Sequence, residues 1–574
     1  MAEAIISPGV FQIESDQSLY TQAPPALGAA IVGPTVSGRP MVPTYVTTYS
    51  QYLSIFGDVF KSGSYYYEYL TSMAAREYFS NGGQSLLITR IISGSDNIST
   101  YATANVSAYN AVNPALTSSF QLEVLSWGNQ MNNTSSISNG ALASGSAQNV
   151  KWEVTNVNTG SGTFTIVVRR GDDNDSQKNI LETWANVSLD PQLPNYVSRV
   201  IGDLKPVYNV ANGYVEFTGS YANASQYVRV ASVTTPNADS IDNNGFYKSG
   251  SYANTLPAVG SGSYGGSFNG GVAATTTTQN MNETITSTNI QGFHPNDYNT
   301  AFTLLSNKDE YQFNVLLAPG VVLGSGADDN MIACVEGRGD AIAIVDNSVY
   351  GTSIVGATTA AAGASSNYGA TYYPWVQLYS ANLGKTVWCP PSTVMGGVLA
   401  FNDQVGAEWF APAGLNRGGI PSVVRAERRL QQTDRDTLYS ANVNPLATFP
   451  GSGVCVWGQK TLQRKPTALD RVNVRRLLIA LKGFIGGVSR TLVFEQNTTV
   501  TRNRFLSQVN PYLESVVQRQ GLYAYKVVMD DTNNTPDVVD RNQLVGQIYI
   551  QPTKTAEFII LNFNILPTGA TFPA

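Results

Sequence analysis

One histidine, three cysteines and few charges set the first limits on this chain. His294 stands by itself in a Gly- and Asn-rich loop. That removes the Ser/His and Cys/His pairs that activate a nucleophile, and the His-ligated metal sites with them. Cys334, Cys389 and Cys455 are too far apart for a CxxC zinc spacing, so they read as free, buried thiols. Charged residues make up only 13% of 574 positions, about half the usual share of about 25%. The surface must therefore be neutral and polar, built from Gly, Ser, Thr, Asn and Tyr. A net charge of −6 argues against a dedicated nucleic-acid binder, since phosphate recognition rests on Lys and Arg. No run approaches the roughly 18 apolar residues needed to span a bilayer. The opening MAEAIISPGVF has no basic segment ahead of an apolar one, so synthesis and folding in a cytosol are expected.

Several motifs tempt and fail. GKT at 384–386 lacks the first glycine of a phosphate loop, because Tyr379 stands there, and Pro390 and Pro391 block a following helix. Gly260, Gly262 and Gly265 satisfy GxGxxG only by composition, inside a stretch (257–280) that reads as a flexible linker. Asp530, Asp531, Asn533 and Asp537 lack the glycine and glutamate of a calcium loop and read as an Asn/Asp turn. Arg338, Gly339 and Asp340 spell an adhesion tripeptide but lead straight into the strand AIAIVD. No enzyme activity, cofactor or metal is expected.

What the chain does contain is alternating helix and strand at its two ends. The predicted class is α+β: a multi-domain, mixed α/β core built from N- and C-terminal parts of the chain, with a β-rich insertion between them. Residues 1–22 read as an extended arm, 23–96 as the first part of the core, 97–300 as one or more outward β-rich domains, 301–543 as the second part of the core, and 544–574 as C-terminal strands. Within these, LGAAIVGPT (27–35) is a buried strand, 65–83 an amphipathic helix stopped at Gly82, and 85–92 a returning strand. NVLLAPG is expected to end at Pro319, and 423–441 to form a charged helix. A helix at 499–520 must kink or divide at Pro511.

The helix over 470–485 carries an apolar stripe of Val474, Leu477, Leu478, Leu481 and Ile485. A basic ridge of Arg471, Arg475, Arg476 and Lys482 runs beside it. Two readings stay open for the ridge: a solvated or internally paired helix face, and a contact for an acidic protein partner. In the tail, Ile548 and Ile550 alternate with polar residues. Phe558 and Ile560 then point one way while Ile559, Leu561 and Phe563 point the other. Burying those last five side chains is worth roughly 8–15 kcal/mol as an upper bound, so such a strand must be covered on both faces. Either its own subunit or a neighbour can supply the cover. Ile5, Ile6, Val10, Phe11 and Ile13 give the N-terminal arm a similar capacity to add to a sheet edge.

SPGVFQIE near the start, CVEGRGDAIAIVD (334–346), the APAGLNRG core of 390–420, WGQKTLQRKPTALDRVNVRRLLIALK (457–482), VFEQNTTVTRNRF, and the final DDTNNTPDVVDRNQLVGQIYIQPTKTAEFIILNF together resemble the contractile tail sheath proteins of large contractile-tailed bacteriophages. The resemblance implies a structural subunit that polymerises as six-membered rings stacked helically around an inner tail tube. Contraction of that lattice drives the tube through the host envelope for genome ejection. It further implies that the terminal strands named above are exchanged between subunits. The ridge Arg471, Arg475, Arg476 and Lys482 would face the inner tube, and the other partners would be baseplate and tail terminator proteins. No direct nucleic-acid contact and no membrane insertion are implied; the protein would be made in the host cytoplasm and reside in the virion tail. The sheath of a genome-free contractile particle, a tailocin or an extracellular injection system, has the same chemistry and is the alternative reading.

Overall fold

The structure, a computed structural model, describes residues 28–62, 64–92, 103–107, 118–126, 138–143, 145–147, 149–158, 160–209, 213–233, 256–257, 260–266, 268 and 280–557. Its main sheet is assembled from both ends of this range: β1 (Ala29–Gly33), β2 (Thr44–Val46), β3 (Leu86–Arg90), β4 (Val315–Val322), β5 (Ile342–Asp346), β6 (Gly369–Tyr373), β7 (Asn444–Phe449) and β8 (Gly453–Val456). In space the order is β2-β3-β1-β4-β5-β6-β7-β8. The inner strands are parallel and the two edge strands antiparallel. β1 and β4 are neighbours, in register Ala29 opposite Val315, although most of the chain's middle lies between them in sequence.

The inner strands are apolar on both faces, as a sheet covered on both sides requires. Ile31, Ile88, Leu317 and Ile344 pack beneath α1 (Leu70–Ser80) on one face. Ala30, Leu87, Leu316 and Val345 meet α2 (Asn296–Leu305) and α3 (Ala327–Arg338) on the other. α4 (Ser392–Val405) joins α1 on the first face. Gly397 permits that close approach: a Cβ there would sit 2.8 Å from the Glu77 carbonyl oxygen, inside contact distance.

Between β3 and β4 the chain builds antiparallel sheets. One has the strand order Ile180–Ser188, Thr163–Arg170, Val150–Asn158, Gly260–Gly266; another Val228–Val233, Ser118–Val124, Thr103–Ser107. Phe120, Trp152, Val154, Phe164, Ile166 and Val230 close a core of their own between these sheets. The α+β organisation, with a two-part core and a β-rich insertion, is thus the observed one.

The last part of the described chain forms a smaller unit. α5 (Val472–Arg490) and α6 (Thr499–Gln518) pack through Leu477, Leu481, Phe505, Val509 and Leu513, and a hairpin of β9 (Leu522–Val528) and β10 (Gln547–Pro552) lies against them. Trp409, arriving from the loop after α4, joins this core and donates its indole N–H to the Arg519 carbonyl at 3.0 Å.

Local expectations are corrected in five places. Residues Tyr65–Glu68 form a strand paired with Val59–Ser62, and the helix begins only at Leu70. β4 runs on through Pro319 to Val322, because Gly320 takes a positive φ of 97° and its N–H is held by the Asp346 carboxylate at 2.9 Å; the turn residues make a bulge, not an end. Val423–Ala426 is a strand, and the helix starts at Gln432, where Gln431 and Asp434 form a capping box. α6 is not divided at Pro511, which lies exposed inside it. Gly260–Gly266, read as linker, is an edge strand pairing with Val150–Asn158.

Candidate assembly surface

The structure gives the tempting motifs structural roles. His294 is an exposed turn residue whose Nδ1 accepts from the Asn296 N–H at 3.2 Å. Burial pushes the Cys334 thiol up to about 12 and that of Cys455 up to about 11, which leaves both unreactive near neutrality. Arg338 is fully buried. It donates to the carbonyls of Leu305 (2.6 Å) and Tyr311 (2.8 Å) and pairs with Asp340, so the Arg-Gly-Asp tripeptide presents no free guanidinium. Asp531 pairs with Arg502, Asp537 with Arg541, and Asp530 caps Thr532 within a turn. Among the described residues no group of three or more His, Cys, Asp or Glu is placed to hold a metal ion. No described helix is long and apolar enough to cross a membrane.

The basic ridge on α5 turns inward. Arg476 is 2% exposed and donates in a two-pronged pair to Asp403, at 2.7 and 2.6 Å. Burial pulls its pKa down, but the Asp403 carboxylate outweighs that and holds it above the ordinary value. Arg475 is 3% exposed. It donates to Asn367 at 3.1 and 2.6 Å and lies 3.9 Å from the Tyr368 ring centre. Arg471 pairs with Glu557, at 2.7 and 3.1 Å, and with Asp470. Lys482 is exposed, its ammonium 3.3 Å from the Tyr368 hydroxyl. As an inner-tube contact the ridge is therefore corrected at Arg475 and Arg476: both side chains are buried and their guanidinium groups are taken up by half-buried partners within the chain. Helical periodicity placed these residues beside the apolar stripe correctly. Asp403, Asn367 and Tyr368, which cover them, come from segments dozens of residues away.

The terminal strands divide in the same manner. Ile5, Ile6, Val10, Phe11 and Ile13, and Phe558, Ile559, Ile560, Leu561 and Phe563, lie outside the described residues. Ile548 and Ile550 do not. Their strand β10 pairs with β9 of the same chain, in register Ile550 opposite Tyr525 and Ile548 opposite Val527, and both side chains pack on the core under α6. Asn534 fixes the return of the chain by bonding both the N–H and the carbonyl of Val545, at 2.8 and 2.9 Å. Within the chain these two isoleucines are half-buried, and the strand that carries them is paired with β9 of the same subunit. The hairpin's backbone is another matter. Neither outer edge has a ladder partner among the described residues, an arrangement that invites a further strand.

A third set of contacts has no counterpart in the sequence pattern. Glu557 is gripped by Arg471, by the Tyr439 hydroxyl at 2.7 Å and by Gln459 at 3.0 Å. Burial raises its pKa, but these donors, Arg471 foremost, hold the carboxyl below the ordinary value. The partners lie 86 to 118 residues away, so no local pattern announces them.

The described chain thus combines a mostly parallel sheet covered on both faces, a β-rich insertion with its own core, and a small C-terminal unit with open sheet edges. Residues 291–462 match the phage tail sheath protein central domain, and residues 464–566 match the phage tail sheath C-terminal domain. The chain is 36% identical over 258 residues to the tail sheath protein of Enterobacteria phage T4, spanning 44% of this chain and 39% of that one. It is 40% identical over 185 residues to the tail sheath protein of Vibrio phage KVP40, spanning 32% and 28% of the two chains. It thus spans well under half the length of either relative. A sheath tail protein from Listeria innocua shares the fold, with a TM-score of 0.52 over 92% of this chain and 95% of that one, at 10% identity. Over residues 291–566 the chain thus resembles the central and C-terminal domains of phage tail sheath proteins.

Proposed function

We propose that this protein polymerises into a helical sheath around an inner tail tube and contracts to drive that tube through a host envelope. The observation that carries this reading is the succession of sheath central and C-terminal domains in one chain, the second ending in a hairpin with open edges. Head-to-tail contacts that do not close a ring generate helical assemblies. An arm from one copy that adds a strand to the next gives such a contact backbone hydrogen bonds that survive a change in angle between bodies. The N-terminal arm (Ile5, Ile6, Val10, Phe11, Ile13) and the tail strand (Phe558 to Phe563) would be the lent strands, and the edges of β9 and β10 the acceptors. Copies stack as six-membered rings, with the tube, baseplate and terminator proteins as further partners. Assembly takes place in the host cytoplasm and the product is the virion tail. The work comes from relaxation of a kinetically trapped lattice, without nucleotide or catalysis. Of the ridge, Lys482 keeps an exposed charge for an acidic tube surface.

Electron microscopy of the negatively stained protein tests this. The full chain should form striated tubes, and a chain lacking residues 1–20 should stay as dispersed, folded subunits. Tubes of normal length from the truncated chain would sink the strand-lending mechanism.

A further inference from the structure

The chain enters the C-terminal unit at Arg471, the N-cap of α5, and comes back to the same place at Glu557. The return path is fastened at both ends. Thr553 donates its N–H to the Gly521 carbonyl at 3.2 Å and its hydroxyl to the Gln520 carbonyl at 2.7 Å, which ties the start of the strap to the end of α6. At the other end both Glu557 carboxylate oxygens are filled. Oε1 accepts from Arg471 Nε at 2.7 Å and Gln459 Nε2 at 3.0 Å; Oε2 accepts from Arg471 Nη2 at 3.1 Å and the Tyr439 hydroxyl at 2.7 Å. Gln459 also donates to the Thr555 hydroxyl at 2.6 Å. The Arg471 and Glu557 side chains are mostly buried, unlike a pair standing in solvent, which contributes little.

We infer that Glu557 and Arg471 form a clasp across the neck of the C-terminal unit. It closes residues 471–557 into a loop and fixes the point from which residues 558–574 set out toward a neighbouring copy. The donors come from three places on the central unit: the end of the helix Gln432–Ser440, the loop at Gln459, and the first residue before α5. One carboxylate thus binds the strap to the body just before the apolar segment begins. Without it the hydrogen bonds left on the strap among the described residues are those of Thr553 and Thr555. A strand that must find a single edge on another body gains from a fixed origin, because the ordering cost is met before the encounter. Glu557 is in this sense a positioning residue. Its bearing on assembly rests on the sheath reading; the clasp itself does not.

Lys554 is exposed in the middle of the strap and supplies the readout, since trypsin cuts there only when the strap lifts from the body. In the isolated subunit, Glu557→Gln should raise the rate of cleavage after Lys554 by about tenfold relative to cleavage at other sites, the consequence of losing a charge-assisted two-pronged pair. Tyr439→Phe, which removes one hydrogen bond and keeps the ring, should raise it about threefold. A folded Glu557→Gln subunit cut no faster than the wild type overturns the clasp. Should that variant fail to fold, Tyr439→Phe decides alone, and an unchanged rate there overturns the clasp as well. Under conditions where the wild type forms tubes, Glu557→Gln should form fewer and more irregular ones; equal tubes from a subunit with a freed strap would overturn the positioning role. Failure of the wild type itself to form tubes would count against the sheath reading while leaving the cleavage result standing.

Discussion

The β insertion and the C-terminal unit differ in where they keep their charged and apolar groups. In the insertion, Arg169 is buried and donates to Asp173 (2.9 Å twice), Glu153 (2.8 Å) and Asp175 (3.0 Å), while Lys151 and Lys178 complete the network on Asp173 and Glu153. Three cations face three anions, and Phe120 stacks on Phe164 at 5.5 Å inside a closed core. The C-terminal unit has a two-stranded sheet, which is marginal in water unless something packs on it, and α6 supplies that on one face only. Its turn between α5 and α6 leaves Phe494 100% exposed at a φ of 71°, next to exposed Val493 and not far along the chain from exposed Val500. A bulky side chain in the left-handed region with no cover is uncommon. The insertion concentrates its charges in one buried network, whereas the C-terminal unit leaves bare apolar groups at the turn between its helices.

That contrast can be broken most forcefully inside the insertion. Arg169→Met should cost roughly 3–5 kcal/mol by stranding buried carboxylates, and it should lower the insertion's melting transition while leaving that of the parallel core in place. A calorimetric trace in which both transitions fall together would mean that the two are not separate cooperative units. In the C-terminal unit, Leu513→Ala removes a fully buried side chain from the contact between α5 and α6. It should cost about 2–5 kcal/mol, measured by denaturant unfolding, and should abolish tube formation. The smallest effect belongs to Phe494→Asn. Asparagine tolerates the left-handed backbone, so subunit stability should stay within about 0.5 kcal/mol, and a loss of tubes at unchanged melting temperature would mark Phe494 as an intercopy contact.

Much of the core was legible because its signals are local. Ala29–Gly33 and Ile342–Asp346 are short apolar runs bounded by Gly, Pro or Asp, and of the period-3.6 stripe on α5 Leu477 and Leu481 are buried against α6, Leu478 and Ile485 pack there partly buried, and Val474 is buried. The failures have a common cause. Tyr65–Glu68 has the composition of either element, and its pairing with Val59–Ser62 settled the matter. Gly260–Gly266 has almost no propensity for anything, yet the open edge of Val150–Asn158 made it a strand. Of the readings left open for the ridge on α5, internal pairing is the one observed at Arg475 and Arg476; which groups do the pairing was not legible, because Asp403 and Asn367 belong to distant segments.

By itself the sequence determined which segments are apolar and where the helices of the C-terminal unit run, since these follow from residue type and spacing. Tertiary structure decided which charges are spent inside, that β10 folds back on β9, and that Glu557 meets Arg471. Those outcomes depend on groups from distant parts of the chain arriving within hydrogen-bond reach, and no short-range pattern encodes that distance.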